Sequence, residues 1–133
     1  MKAVHCAEHR RMRELASTIL AVASGRRPSE SGELAQLRLS FARLVNAHCN
    51  EEGRTIREAI RAGLVCATTA ATFQRELQRW RAALASLNSD WPGSRADRDP
   101  RGFASAFKSL ADDLGRYIEL EESQILDKIP DVS

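Results

Sequence analysis

Apolar side chains recur at steps of three and four along most of the chain, the spacing that gathers them on one face of an α-helix. One series runs through His5, His9, Met12, Ala16, Ile19 and Ala23, flanked by Leu15 and Val22. A second takes in Leu34, Leu37, Phe41, Leu44, Val45, His48, Glu52, Ile56 and Ile60. The third is Val65, Thr69, Phe73, Leu77, Trp80, Leu84 and Leu87, and the fourth Phe103, Phe107, Leu110, Leu114, Tyr117, Glu121, Ile125 and Ile129. Turn-forming residues separate them: a cluster at 25–32 with Gly25, Pro28 and Gly32, a short break at Gly63, and a loop at 88–102 with Pro92, Gly93 and Pro100. The pattern predicts four helices near 4–24, 33–62, 65–87 and 103–128, with starts at Ser31 and at Asp99-Pro100. Apolar and polar residues nowhere alternate over a strand's length, so no sheet is expected. The expected architecture is all-α, an up-down-up-down four-helix bundle forming a single domain over 1–133.

Composition narrows the class of function. With 133 residues, 43% of them apolar, the chain can bury a core without disulfides. Its 20 basic and 18 acidic side chains leave a formal charge of +2, which does not point to nucleic acid. An aromatic content of 5% also argues against a stacking platform for single strands. The first residues carry charge and lack an apolar signal core, and the longest uncharged stretch, 62–74, is too short to span a bilayer. A cytoplasmic protein without a membrane partner is therefore expected. Cys6, Cys49 and Cys66 cannot all pair within one chain and make no CxxC, so they read as reduced, small core residues. No GxSxG, HExxH, phosphate loop or dinucleotide fingerprint occurs, and no enzyme activity is expected.

Ionisable residues interrupt three of the four apolar stripes, and a carboxylate in such a place is costly unless it is paired or bound to a metal. Their heights along the bundle agree. In antiparallel neighbours, level positions lie symmetrically about the connecting turn. His9 and His48 flank the Pro28-Ser29 turn in this way, Glu52 and Glu76 flank Gly63, and Glu76 and Tyr117 flank the long loop. His9, His48, Glu52, Tyr117 and Glu121 are thus expected near one level of the core.

These residues resemble the hemerythrin-like, or HHE cation-binding, family. His9 in the run from Glu8 to Leu15 is similar to that family's first-helix histidine, and His48-Cys49-Asn50-Glu51-Glu52 to its second-helix HxxxE. Tyr117 to Glu122 falls where a fourth-helix HxxxE stands, with Tyr117 in place of the histidine. The resemblance implies non-haem iron, one or two ions, handling dioxygen, redox signals or iron itself. Carried over by position, His9, His48 and Glu52 would bind the first metal, Glu121 would be a carboxylate ligand and Tyr117 a phenolate one. The third segment has none of the family's histidines; Gln74 or Glu76 lies at a suitable level, and His5 and Glu122 are outer or alternative partners. One metal position is supported and the second is degraded.

Three bland readings stand beside this. His5 reads as a solvated helix-end histidine. The arginines read as surface groups paired with Glu8, Glu14, Glu51 and Glu58. Tyr117 reads as an ordinary buried tyrosine. The alternative function is a metal-free helical interaction module that has lost the site. A histidine phosphotransfer domain is disfavoured, because His48 lies on an apolar stripe beside acidic residues that would repel a phosphoryl donor.

Overall fold

The structure, a computed structural model, describes residues 2–130. The helices are α1 (Lys2–Ala23), α2 (Glu33–Arg61), α3 (Ala67–Asp90), the short α4 (Gly93–Arg98) and α5 (Pro100–Gln124), followed by a 3-10 turn at Leu126–Lys128. The single-domain expectation also takes in Met1 and 131–133, which lie outside the described residues. Side-chain pairs fix the packing. His5 meets Thr55 while His9 meets His48, so α1 and α2 run in opposite directions. Arg38 reaches Asn88 while Arg81 reaches Asn46 between α2 and α3. The Trp80 indole N–H donates to the Leu110 carbonyl at 2.9 Å, and Tyr117 reaches Glu76, between α3 and α5. Arg13 donates to the Gly115 carbonyl while His9 meets Glu122, which closes the ring from α1 to α5. The result is an antiparallel bundle of four long helices. Among the described residues, no helix is long and apolar enough to cross a membrane.

The turns follow from local chemistry. Gly25 and Gly63, both left-handed with φ of +76° and +72°, end α1 and α2. In each case the next amide reaches back past the last turn, Arg26 to Ala21 and Leu64 to Ala59, which uses carbonyls the helix end would leave bare. Asp99 caps α5 as expected: its carboxylate accepts from the Gly102 amide at 3.0 Å, and Pro100 opens the first turn. Ser31 does not cap α2. Gly32 holds that position, left-handed, and Glu33 instead accepts from the Glu30 amide at 3.2 Å.

The loop expected over 88–102 contains a helix. α3 runs on to Asp90, Trp91 and Ala96 are buried, and the Arg95 guanidinium lies 3.7 Å over the Trp91 ring. Those contacts hold α4 in a segment whose prolines, glycine and charges carry no helical signal of their own.

Buried apolar side chains form two groups. The larger contains Met12, Ile19, Phe41, Val45, Trp80, Phe107 and Ile118. The smaller contains Ile56, Ala59, Val65, Ala70, Phe73 and Ile125. On α2 the residues between the groups are His48 and Glu52, both on the inward face, and on α5 the corresponding residue is Glu121. A polar layer therefore divides the core. The inward path on α5 steps from Leu114 to Ile118 and then Glu121, rather than through Tyr117. Tyr117 is only partly buried, turned toward α3.

Candidate metal centre

Three helices deliver the polar layer. α1 supplies His9, α2 supplies His48 and Glu52 from one face a single turn apart, and α5 supplies Glu121. All four are buried, with 2% to 3% of their surface exposed. One donor atom from each lies within 4.8 Å of all the others. His9 Nε2 and His48 Nε2 stand 3.0 Å apart. Glu52 Oε2 lies 2.7 Å from His48 Nε2, and the Glu121 oxygens lie 3.3 Å from His9 Nε2 and 3.9 Å from His48 Nε2.

The opposite side of each imidazole is also held. His48 Nδ1–H donates to Glu8 Oε1 at 3.0 Å, and His9 Nδ1–H donates to Glu122 Oε2 at 2.8 Å. Carboxylates only accept, so each Nδ1 carries the hydrogen and each Nε2 turns a lone pair inward. Two nitrogen lone pairs and two carboxylates then converge on one buried point. Such a set of acceptors repels itself unless a cation lies among them. Among the described residues Glu52 Oε1 and Glu121 Oε1 have no hydrogen-bond partner, although both are fully enclosed.

In the protein alone, a proton must serve as that cation. Burial by itself would lower His48, but the surrounding carboxylates of Glu121, Glu52 and Glu8 outweigh it and raise the imidazole to about 10. Burial pushes Glu52 up to about 8, moderated by His48 and reinforced by Glu121. Glu121 is lowered: burial opposes this, but the neighbouring His48, His9 and Glu52 prevail. One imidazolium thus holds one ionised carboxylate and one that retains its proton readily. A divalent ion would supply the same positive charge at the same point. Imidazole and carboxylate together suit zinc and intermediate first-row ions such as iron, so the donor set fits.

The remaining expected residues are placed as follows. His5 is buried, 3% exposed, and not a solvated helix-end residue. Its Nε2 pairs with Thr55 Oγ1 at 3.0 Å, and burial followed by the charge on His48 lowers its basicity. Glu122 sits behind His9 rather than among the four converging groups. Tyr117 is not in the cluster. Its hydroxyl faces Glu76 Oε2 at 3.5 Å, and burial followed by that carboxylate raises the phenol. Glu76 is itself 3.3 Å from Arg79 and is not among the converging groups. Gln74 lines a groove of about 200 Å³ between α2 and α3, together with Cys49, Glu52 and Leu77. α3 contributes no member of the cluster among the described residues.

Glu8 and Thr55 join the site without having stood out in the sequence. Spacing along α1 pairs Glu8 with arginines, yet it turns inward to His48 and lies 3.9 Å from His5. A histidine three residues before it and another directly after it are the available signal. Arg54 and Glu51 do pair at the surface, at 3.6 Å. The cysteines are unpaired, but only Cys49 is a core residue; Cys6 is partly buried and Cys66 is exposed at the start of α3.

The family profile described as the hemerythrin HHE cation binding domain matches residues 6–129. No curated protein and no solved structure matches the chain.

Proposed function

The chain belongs to the hemerythrin HHE cation-binding domain family, and on that premise we propose that it is a single-domain binding protein for non-haem iron. The convergence of two Nε2 lone pairs and two carboxylates on one buried point carries this reading. His9, His48, Glu52 and Glu121 would hold one ion, and the iron would supply a redox couple and coordination positions open to a small molecule such as dioxygen. The role that follows is oxygen or redox sensing, or the handling of iron, without a defined turnover.

The chain's own residues do the rest. Glu8 and Glu122 fix the hydrogen of each ligand imidazole on the far nitrogen, so that both near nitrogens are available. The two apolar groups exclude bulk water above and below the layer. The unused side of the layer faces α3, where the groove that Glu52 lines offers a path for a small ligand. Tyr117, with its phenol raised and engaged by Glu76, takes no part.

Anaerobic reconstitution with ferrous iron followed by metal analysis tests the reading. Wild-type protein is expected to retain iron stoichiometrically after gel filtration, and His48→Ala to lose it while keeping its helix content. Protein that stays iron-free at saturating ferrous iron overturns the reading and leaves the metal-free interaction module.

A further inference from the structure

We propose that the chain holds a second divalent cation between His5 Nδ1, Glu8 Oε1 and His48 Nδ1, so that His48 joins two centres through its two ring nitrogens. The inference rests on the central reading, since it assigns His48 Nε2 to the first ion. Glu8 Oε1 lies 3.9 Å from His5 Nδ1 and 3.0 Å from His48 Nδ1, and one donor atom from each of these three residues on α1 and α2 lies within 4.8 Å of the others. His5 is 3% exposed, and its Nδ1 is enclosed without a hydrogen-bond partner among the described residues. The ring is not free to turn away, because Nε2 is fastened to Thr55 Oγ1 at 3.0 Å. Nδ1 therefore stays 3.9 Å from Glu8 Oε1, too far for a hydrogen bond and suited to an ion lying between them.

An enclosed ring nitrogen without a partner carries a desolvation cost that a bound cation would offset. Two imidazoles and a carboxylate match the donor preferences of zinc and of ferrous iron. The Glu8 side chain is 25% exposed, which gives this position direct contact with solvent that the central four lack. On binding, the metal–Nδ1 bonds form and the His48 Nδ1–H bond breaks. Its proton leaves to solvent, and Glu8 exchanges an accepted hydrogen bond for ligation. No electron is transferred.

Zinc titration of the metal-free full chain, read by native mass spectrometry, tests the proposal. Wild type is expected to take up two zinc ions. His5→Gln, and separately Glu8→Gln, which keeps an acceptor for His48, are expected to take up one. Circular dichroism verifies that both variants are folded. Two ions in wild type and in both variants would overturn the proposal, because the second ion would then lie elsewhere. A single ion in wild type, lost in Glu121→Gln but kept in His5→Gln, would overturn it and leave the central reading standing. No zinc in any protein, with no iron under anaerobic conditions, would remove both.

Discussion

His9 and His48 meet across the α1–α2 interface with their Nε2 atoms 3.0 Å apart, each pinned from behind by a carboxylate on another helix. Two neutral imidazoles so oriented have no hydrogen between them. Charge must be shared among the histidines and the acids Glu52 and Glu121, and the identity of the shared cation decides how the protein responds to pH.

Without metal, the thermal midpoint is expected to fall as pH rises from about 4.5 to about 10, first through Glu52 and then through His48. His48 is raised from 6.5 to about 10, and Glu52 from 4.5 to about 8. A raised group stabilises the fold fully below its unfolded value, and that contribution disappears as pH climbs through the folded value. Glu121, lowered, acts in the other direction and weakens the fold only on acidification. Bound metal replaces the proton, so iron-loaded protein should lack the alkaline decline and should bind more tightly as pH rises. Thermal denaturation across this range, with and without iron, gives the comparison. A flat midpoint up to pH 10 in metal-free protein would refute the expectation.

Glu122→Ala removes the acceptor behind His9 Nδ1 without touching the four converging groups. Metal affinity is expected to fall by roughly 10- to 100-fold, the usual effect of losing a group that orients a ligand histidine. Competition with a chelator of known affinity measures it. Unchanged affinity would mean that the carboxylate is incidental.

Tyr117→Phe is expected to leave metal content and the visible spectrum of the iron protein unaltered, because the hydroxyl faces Glu76. A phenolate-to-iron absorption band present in wild type and absent in this variant would contradict that placement.

Gly102→Ala is expected to destabilise the fold by about 1–3 kcal/mol, the usual range for overpacking. A Cβ there would press on the Trp91 ring at 2.7 Å and on the Asp99 carboxylate that caps α5. Urea denaturation measures the change, and a stability equal to wild type would show that the Trp91 corner is loosely packed.

The bundle is legible in the sequence because its signals are local. Periodicity locates the inward faces of His9, Met12, Ile19, Phe41, His48 and Glu52, and Gly25 and Gly63 end helices where their left-handed backbone is needed. α4 is hidden because its stability comes from Trp91 and Ala96 packing against the rest of the fold rather than from its own composition. The meeting of His9, His48, Glu52 and Glu121 can be anticipated from helix height. Height does not fix rotation about the helix axis. Tyr117 sits level with Glu76 as expected, but Ile118 takes the inward place and leaves the phenol facing α3. Glu8 is obscured for a related reason, since spacing within one helix suggests arginine partners whereas the neighbouring helix offers His48.

Crystals grown with ferrous iron under anaerobic conditions, with anomalous difference maps recorded on either side of the iron absorption edge, would locate the ion itself. A peak is expected within bonding distance of His9 Nε2, His48 Nε2, Glu52 and Glu121 that disappears below the edge. A layer with no such peak, its imidazoles and carboxylates still hydrogen-bonded to one another at saturating iron, would contradict iron binding there.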